Sequence, residues 1–382
     1  MFPRAPTQNA TTTNSGTANG FLSQTFAGTA TATNSGTNTG GFAAQSVTGN
    51  AIATNSGTGD SFVASTTGGG NATATNSGNN VGGFLAQTTF GNATATNTGS
   101  GTGLGHAFAD VVAVTLVSGN ATARNSGTIG DANAGNFSFL LASTQNAGNA
   151  TATNSGSSAG GVEAQALGTG NASAGNSGTT AGNVTATTFG GGDATATNSG
   201  SAAAVAAATF GSGNAAAINS GSAGGIAAAT FAGGNATVIN SGTANGGITV
   251  AALAGGSAAL TNILGSRVVG PITLQSNNNT VNFRGGNWLF NIVALGSTTI
   301  NTGGTPFVVA GSFSSLSGAQ VAVLDPTTFA LADRSLTNFT GEISEMLHGR
   351  FGGMSAGAAG SGGSALGFAS APGSPVAARC RI

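Results

Sequence analysis

The tripeptide Asn-Ser-Gly, once Asn-Thr-Gly, begins at Asn14, Asn34, Asn55, Asn76, Asn97, Asn125, Asn154, Asn176, Asn198, Asn219 and Asn240. The intervals are 20, 21, 21, 21, 28, 29, 22, 22, 21 and 21 residues. A chain that restarts itself at a fixed period folds as a stack of similar units, each burying its apolar face against its neighbours rather than in one central core. Glycine-rich sequence without a period would instead indicate disorder.

A second ladder runs in phase, seven or eight residues after each Asn: Phe21, Phe42, Phe62, Phe84, then Val162, Val184, Val205, Ile226 and Ile248. A looser third ladder places Phe26, Phe90, Phe189, Phe210 and Phe231 late in their repeats. Residues 71–90 show the unit cleanly: Ala72, Ala74 and Asn76 alternate with Thr73 and Thr75, the period of two of a strand with a narrow inward face and a polar outward one. Phe84, Ala86 and Thr88 share one face of a second strand, and glycines mark the corners between them. Two short strands per unit and no helical periodicity predict an all-β parallel β-solenoid (β-helix) of about 21-residue coils. Eleven coils at about 4.8 Å make a rod of roughly 50 Å. Stacked Asn side chains at a corner can bond to the coils above and below, so Asn-Ser-Gly reads as a corner rather than a ligand. The two long intervals each carry about seven or eight extra residues, which read as projecting loops and as places for binding specificity.

Composition narrows the function. Charged residues are 4% of the chain, where a globular protein has about 25%, which argues against an ordinary soluble enzyme domain. All eight basic residues are Arg and the net charge is -1, so neither nucleic acid nor a membrane surface is an expected partner. A single Cys, Cys380, permits no intrachain disulfide and no Cys-based metal site. The segment from Met1 to Asn9 lacks the features of a signal peptide, and no run of 18 apolar residues occurs.

After about residue 257 the period ends and bulkier segments follow, among them Arg267 to Leu274, Asn279 to Phe283 and Gly286 to Phe290, a terminal cap or a denser part of the same solenoid. Asp325 as N-cap with Pro326 at the first helical position then starts a helix. Phe329, Ala332, Leu336, Phe339, Ile343 and Met346 recur at three-four spacing, predicting one amphipathic helix from 326 to about 350, with Thr340-Gly341 a weak point.

The stretch from Gly286-Asn287-Trp288-Leu289 through Leu324-Asp325-Pro326, Leu331-Ala332-Asp333-Arg334, Phe339-Thr340-Gly341 and Leu347-His348-Gly349-Arg350-Phe351 resembles the passenger-to-barrel junction of type V autotransporters of Gram-negative bacteria. Residues 258–351 carry the closer match, and the repeats match in style. In that family a β-helical passenger is followed by a helix threaded through a C-terminal 12-stranded outer-membrane barrel. The resemblance implies a right-handed solenoid, export to the cell surface, outer membrane or medium, and a translocating barrel that this chain does not contain. The expected organisation is a repetitive passenger over 1–257, a solenoid cap over 258–324, a linker helix over 325–351 and a disordered Gly/Ala/Ser-rich tail over 352–382. The function so implied is a non-enzymatic stalk or adhesin meeting cell or abiotic surfaces. The alternatives are a non-functional fragment of an interrupted autotransporter gene, a hydrolytic passenger, or an ice-binding β-solenoid.

No residue earns a catalytic, metal or cofactor assignment. Gly59-Asp60-Ser61 is similar to the nucleophile blocks of some serine hydrolases, but Ser61 would need His106 as base, and Asp60-Ser61 stands where other repeats have Gly-Gly, so a corner is the favoured reading. His348 falls in the expected helix. His106 and Asp110 lie together in the first long loop, too few for a metal. Gly190 to Asp193 is one copy of a calcium-repeat pattern that works only as an array. The sequons, such as Asn71-Ala72-Thr73, follow from the repeat itself. Thr-x-Thr pairs occur in six of eleven coils, for example Thr73 with Thr75 and Thr94 with Thr96. Ile52, Arg124, Gly175, Ile218 and Ile239 interrupt them, and outward Thr is first of all a good polar strand residue.

Overall fold

The computed structural model describes residues 8–101, 110–130, 138–285, 288–311, 318–323 and 326–355, with side chains along the final helix described from 333 to 348. It divides into two units, Met1–Asp325 and Pro326–Ile382.

The first unit is a parallel β-solenoid of about 13 coils at about 21-residue spacing, which at about 4.8 Å per coil is roughly 60 Å long. Two more coils exist than Asn-Ser-Gly counts, because parallel pairing continues where the motif has ended. Ser257–Ile263 pairs with the second half of Ile272–Arg284, and this in turn with Trp288–Asn301. Residues 258–301 therefore include denser coils of the same solenoid. The cap is the antiparallel pair Phe307–Ala310 and Ala319–Val323, the latter bonded to the start of Trp288–Asn301.

Most coils have three strands, one more than the sequence suggested, while in two coils the second and third run together as Ser201–Thr209 and Ser222–Thr230. In one coil the three are Ala72–Asn76, the two-residue Asn79–Asn80 and Phe84–Phe90. The polar link after Asn-Ser-Gly is itself a strand, because Asn79 and Asn80 pair with Thr58 and Gly59 below and with Ser100 and Gly101 above, and Asn80 turns inward.

The core is thin and made of columns. Ala72 and Ala74 stack in register on Ala51 and Ala53 and under Ala93 and Ala95, all inaccessible to solvent. Opposite, the rings of Phe21, Phe42, Phe62 and Phe84 stack with centroids 4.7–4.9 Å apart. Val111 and Leu140 continue this column through the two long coils, joining Phe84 to Val162. The coils thus resume in register around both insertions, whose extra residues fall at 102–109 and 131–137, outside the described residues.

The Asn-Ser-Gly corner follows from two close approaches. Each Asn amide donates to the amide oxygen of the next, as from Asn55 to Asn76 and Asn76 to Asn97, both 2.8 Å. The ladder runs from Asn14 to Asn262 and stops because Phe283 stands in register with Asn262, leaving the Asn262 Nδ2 buried without a hydrogen bond. The Gly of the motif is required by stacking: a Cβ on Gly57 would lie 2.1 Å from the Gly36 carbonyl oxygen.

The described residues of the second unit form one helix, Pro326–Ser355, running through Thr340-Gly341. Asp325 lies outside the described residues, so its capping role has no structural description here. The same holds for Cys380 and for the tail from residue 356 onwards.

Candidate interaction surfaces

Outside the core, neighbouring coils mostly offer similar side chains at the same places, so the surface is organised in columns. On the first strand the outward residues are chiefly Thr, with Thr73 below Thr94 and Thr75 below Thr96. At the edge of that strand runs an Asn column that the sequence reading overlooked: Oδ1 of Asn50 accepts the Asn71 N–H, Oδ1 of Asn71 that of Asn92, and Oδ1 of Asn92 that of Asn120, each at 2.9 Å. The signal was present as the first Asn of every Asn-Ala-Thr unit.

Asp193 belongs to this column. Its Oδ1 accepts from the backbone and side-chain nitrogens of Asn214, at 2.7 and 3.2 Å, which accounts for the acidic residue after Gly190–Gly192. Among the described residues no cluster of three or more His, Cys, Asp or Glu could hold a metal ion.

The looser Phe ladder lies outside. Phe189, Phe210 and Phe231 are 42–46% exposed, and their rings stack at 4.9 and 4.7 Å with interplanar angles of 8° and 3°. Ring faces are consumed by neighbouring rings, so the ridge shows edges to solvent.

The candidate residues Ser61 and Asp110 come to one place. Both precede the buried Phe/Val column, Ser61 before Phe62 and Asp110 before Val111, two coils apart with Gly83 between them. Gly83 is fitted to this stacking, since a Cβ there would lie 2.9 Å from the Asp110 amide nitrogen, and beside it a hollow of about 260 Å³ is walled by Val63, Leu85 and Val112. The two-coil separation, about 10 Å of backbone, keeps the Ser61 hydroxyl and the Asp110 carboxylate from meeting directly. Burial pushes the Asp110 carboxyl up from its ordinary value, against a hydrogen bond from the Phe139 N–H to Oδ1 at 2.9 Å, which pulls it down. His106 lies outside the described residues. Asp60 is in a corner: its carbonyl accepts the Gly82 N–H at 2.7 Å.

On the helix, Leu336, Phe339, Ile343 and Met346 are exposed at three-four spacing, and His348 is exposed as well. Among the described residues no helix is long and apolar enough to cross a membrane. Comparison with protein families, curated proteins and solved structures found no match to this chain. The fold is that typical of autotransporter passengers, and it is compatible with a passenger or stalk-like protein.

Proposed function

We propose that the chain is a non-enzymatic passenger of the autotransporter type, a surface stalk that adheres to cells or abiotic surfaces and is exported through an outer-membrane barrel. The observation that carries this reading is the uninterrupted stack of about 13 coils, held by columns of Ala, Phe, Val and Asn. Each coil closes its own backbone groups on its neighbours, so length is added without redesigning a core. Such a rod extends whatever it carries away from its anchor. Two further facts support the reading. The wall is nearly free of charge, which allows apolar and hydrogen-bonding contact without a counter-charge. The amphipathic helix follows directly on the cap, in the order of the junction the sequence resembles.

The test is display. The full chain is placed after a secretory signal and before a 12-stranded translocator in a Gram-negative host, and intact cells are probed with protease and for retention on plastic and on cultured cells. The expected result is a protease-accessible, largely resistant rod and greater retention than with the translocator alone. Retention in the periplasm, or a displayed rod without gain in adhesion, would overturn the proposal. A hydrolytic role for Ser61 is separated by an active-site serine probe: labelling of the native chain and its loss in Ser61→Ala would replace the adhesin reading.

A further inference from the structure

The outward side of the first strand has an order that a stalk does not need. In one coil Asn71, Thr73 and Thr75 point outward, and in the next Asn92, Thr94 and Thr96. The three coils before these, starting at Asn9, Thr29 and Asn50, fill the same three positions with Asn or Thr, apart from Ile52. Five coils of three positions give fifteen sites, of which fourteen are Asn or Thr. Counting Thr pairs over the whole chain hides this patch, because the interruptions other than Ile52 all lie C-terminal to it.

The patch is a two-dimensional lattice. The four strand pairings within it are parallel and unbroken, residue on residue. Rows therefore repeat at about 4.8 Å along the rod and columns at about 6.7 Å along the strand, over roughly 19 by 13 Å. Its side chains are held still: Thr and Ile are β-branched with few χ1 states, and the strand beneath is locked by the Ala column and the Asn ladder.

Its Asn oxygens are taken up by the next coil's N–H, but its Thr hydroxyls are uncommitted. Inward hydroxyls are bonded, as Thr25 to the Gln8 carbonyl, Thr88 to that of Gly70 and Thr66 to Thr88. The outward hydroxyls of Thr73, Thr75, Thr94 and Thr96 make no hydrogen bond within the chain.

These properties select a ligand. A discrete small molecule is held in a concavity with a few convergent polar groups, and an outward β-face offers none. A polyanion requires Lys or Arg, and the five coils carry neither. A rigid, uncharged grid of alternating hydroxyl and methyl groups gains affinity by summing many weak contacts, and only a ligand with its own planar repeat and hydroxyl chemistry allows the sum. We propose that this five-coil face binds ice. The row and column repeats are of the size of oxygen repeats on low-index ice planes. Water held between Thr methyls and bonded to Thr hydroxyls and Asn amides would form the layer shared with the crystal. Preorganisation keeps the entropic cost of ordering this face small.

The test uses the purified full chain in a nanolitre osmometer, reading thermal hysteresis and the shape of a single ice crystal. The expected result is faceted growth with a measurable hysteresis gap. Thr75→Arg should abolish the gap, while Thr197→Arg, at the same position of a coil outside the patch, should leave it unchanged. Both variants should fold, because Arg124 already occupies this position in register with Thr96 without breaking its strand. Thr96→Arg, placed directly beneath Arg124, is the second variant within the patch and should behave as Thr75→Arg. Rounded crystals and no gap with the native chain, its β-structure intact by circular dichroism, would overturn the proposal. So would equal loss in Thr75→Arg and Thr197→Arg. Neither outcome bears on export or adhesion, which cell display reads separately.

Discussion

Removing one rung from the buried Asn ladder tests what holds the coils together. Asn76 is inaccessible to solvent and makes four side-chain hydrogen bonds. It accepts from Asn55 and donates to Asn97, both at 2.8 Å, and donates to the carbonyls of Gly78 and Ser100 at 3.2 and 3.3 Å. In Asn76→Ala the Asn55 amide keeps two other acceptors, Gly57 and Asn79. The Gly78 carbonyl keeps the Ser100 N–H. The Asn97 Oδ1 loses its donor while remaining buried, a cost of about 1–3 kcal/mol. The void left by the amide raises the total to about 2–4 kcal/mol. The control lies in the same coil. Asn71→Ala removes one bond, from the Asn92 N–H, which is exposed and can turn to water, so its cost is below about 1 kcal/mol.

Coils in a solenoid open locally, so the readout is amide hydrogen exchange rather than a single melting point. At 1.4 kcal/mol per decade, Asn76→Ala should accelerate exchange about 30- to 700-fold in strands 51–55, 72–76 and 93–97, and Asn71→Ala by less than about fivefold. Equal acceleration by the two variants would refute the claim that the inner amides are a structural ladder. Acceleration spread evenly over all coils would refute the claim of local coupling.

Two other perturbations follow from the same packing. Gly57 and Gly16 occupy the same place in the motif, but a Cβ on Gly57 meets the Gly36 carbonyl oxygen at 2.1 Å while one on Gly16 meets nothing within 4 Å. Gly57→Ala should therefore cost about 1–3 kcal/mol or more, and Gly16→Ala less than about 0.5 kcal/mol, read as shifts in the thermal midpoint. The carboxyl of Asp110 titrates above its unfolded value because burial disfavours its charge, so it weakens the fold once pH rises above the unfolded value, and the loss is complete above the folded one. Asp110→Asn keeps an oxygen for the Phe139 N–H and should stabilise the protein at pH 7 but not near pH 3, by urea denaturation; an equal effect at both would refute the assigned cause.

The period was fully visible in the sequence because each Asn must meet the next one, and a ladder with one wrong rung leaves a buried amide unpaired. The same logic shows why the end of the solenoid was hard to see. Once Phe283 replaces the Asn and aromatic packing of Phe283, Trp288 and Phe290 takes over the core, backbone pairing continues with no motif to mark it. Val111 and Leu140 were missed as members of the buried column because the insertions shifted them away from the Asn count, although their neighbours in register are unambiguous.

Surface function was less legible for a physical reason. Along one strand, Thr73 and Thr75 read as ordinary outward residues, and nothing in a linear pattern distinguishes a solvated face from a binding lattice. The difference lies in the second dimension, across coils, where register brings Thr73 beside Thr94 and Asn71 beside Asn92. The ladder that fixes register inside thus also fixes the spacing outside. Disturbing a buried rung such as Asn76 should loosen the Thr rows above it even though no surface residue has changed, whereas Thr75→Arg alters the surface and leaves the rungs alone.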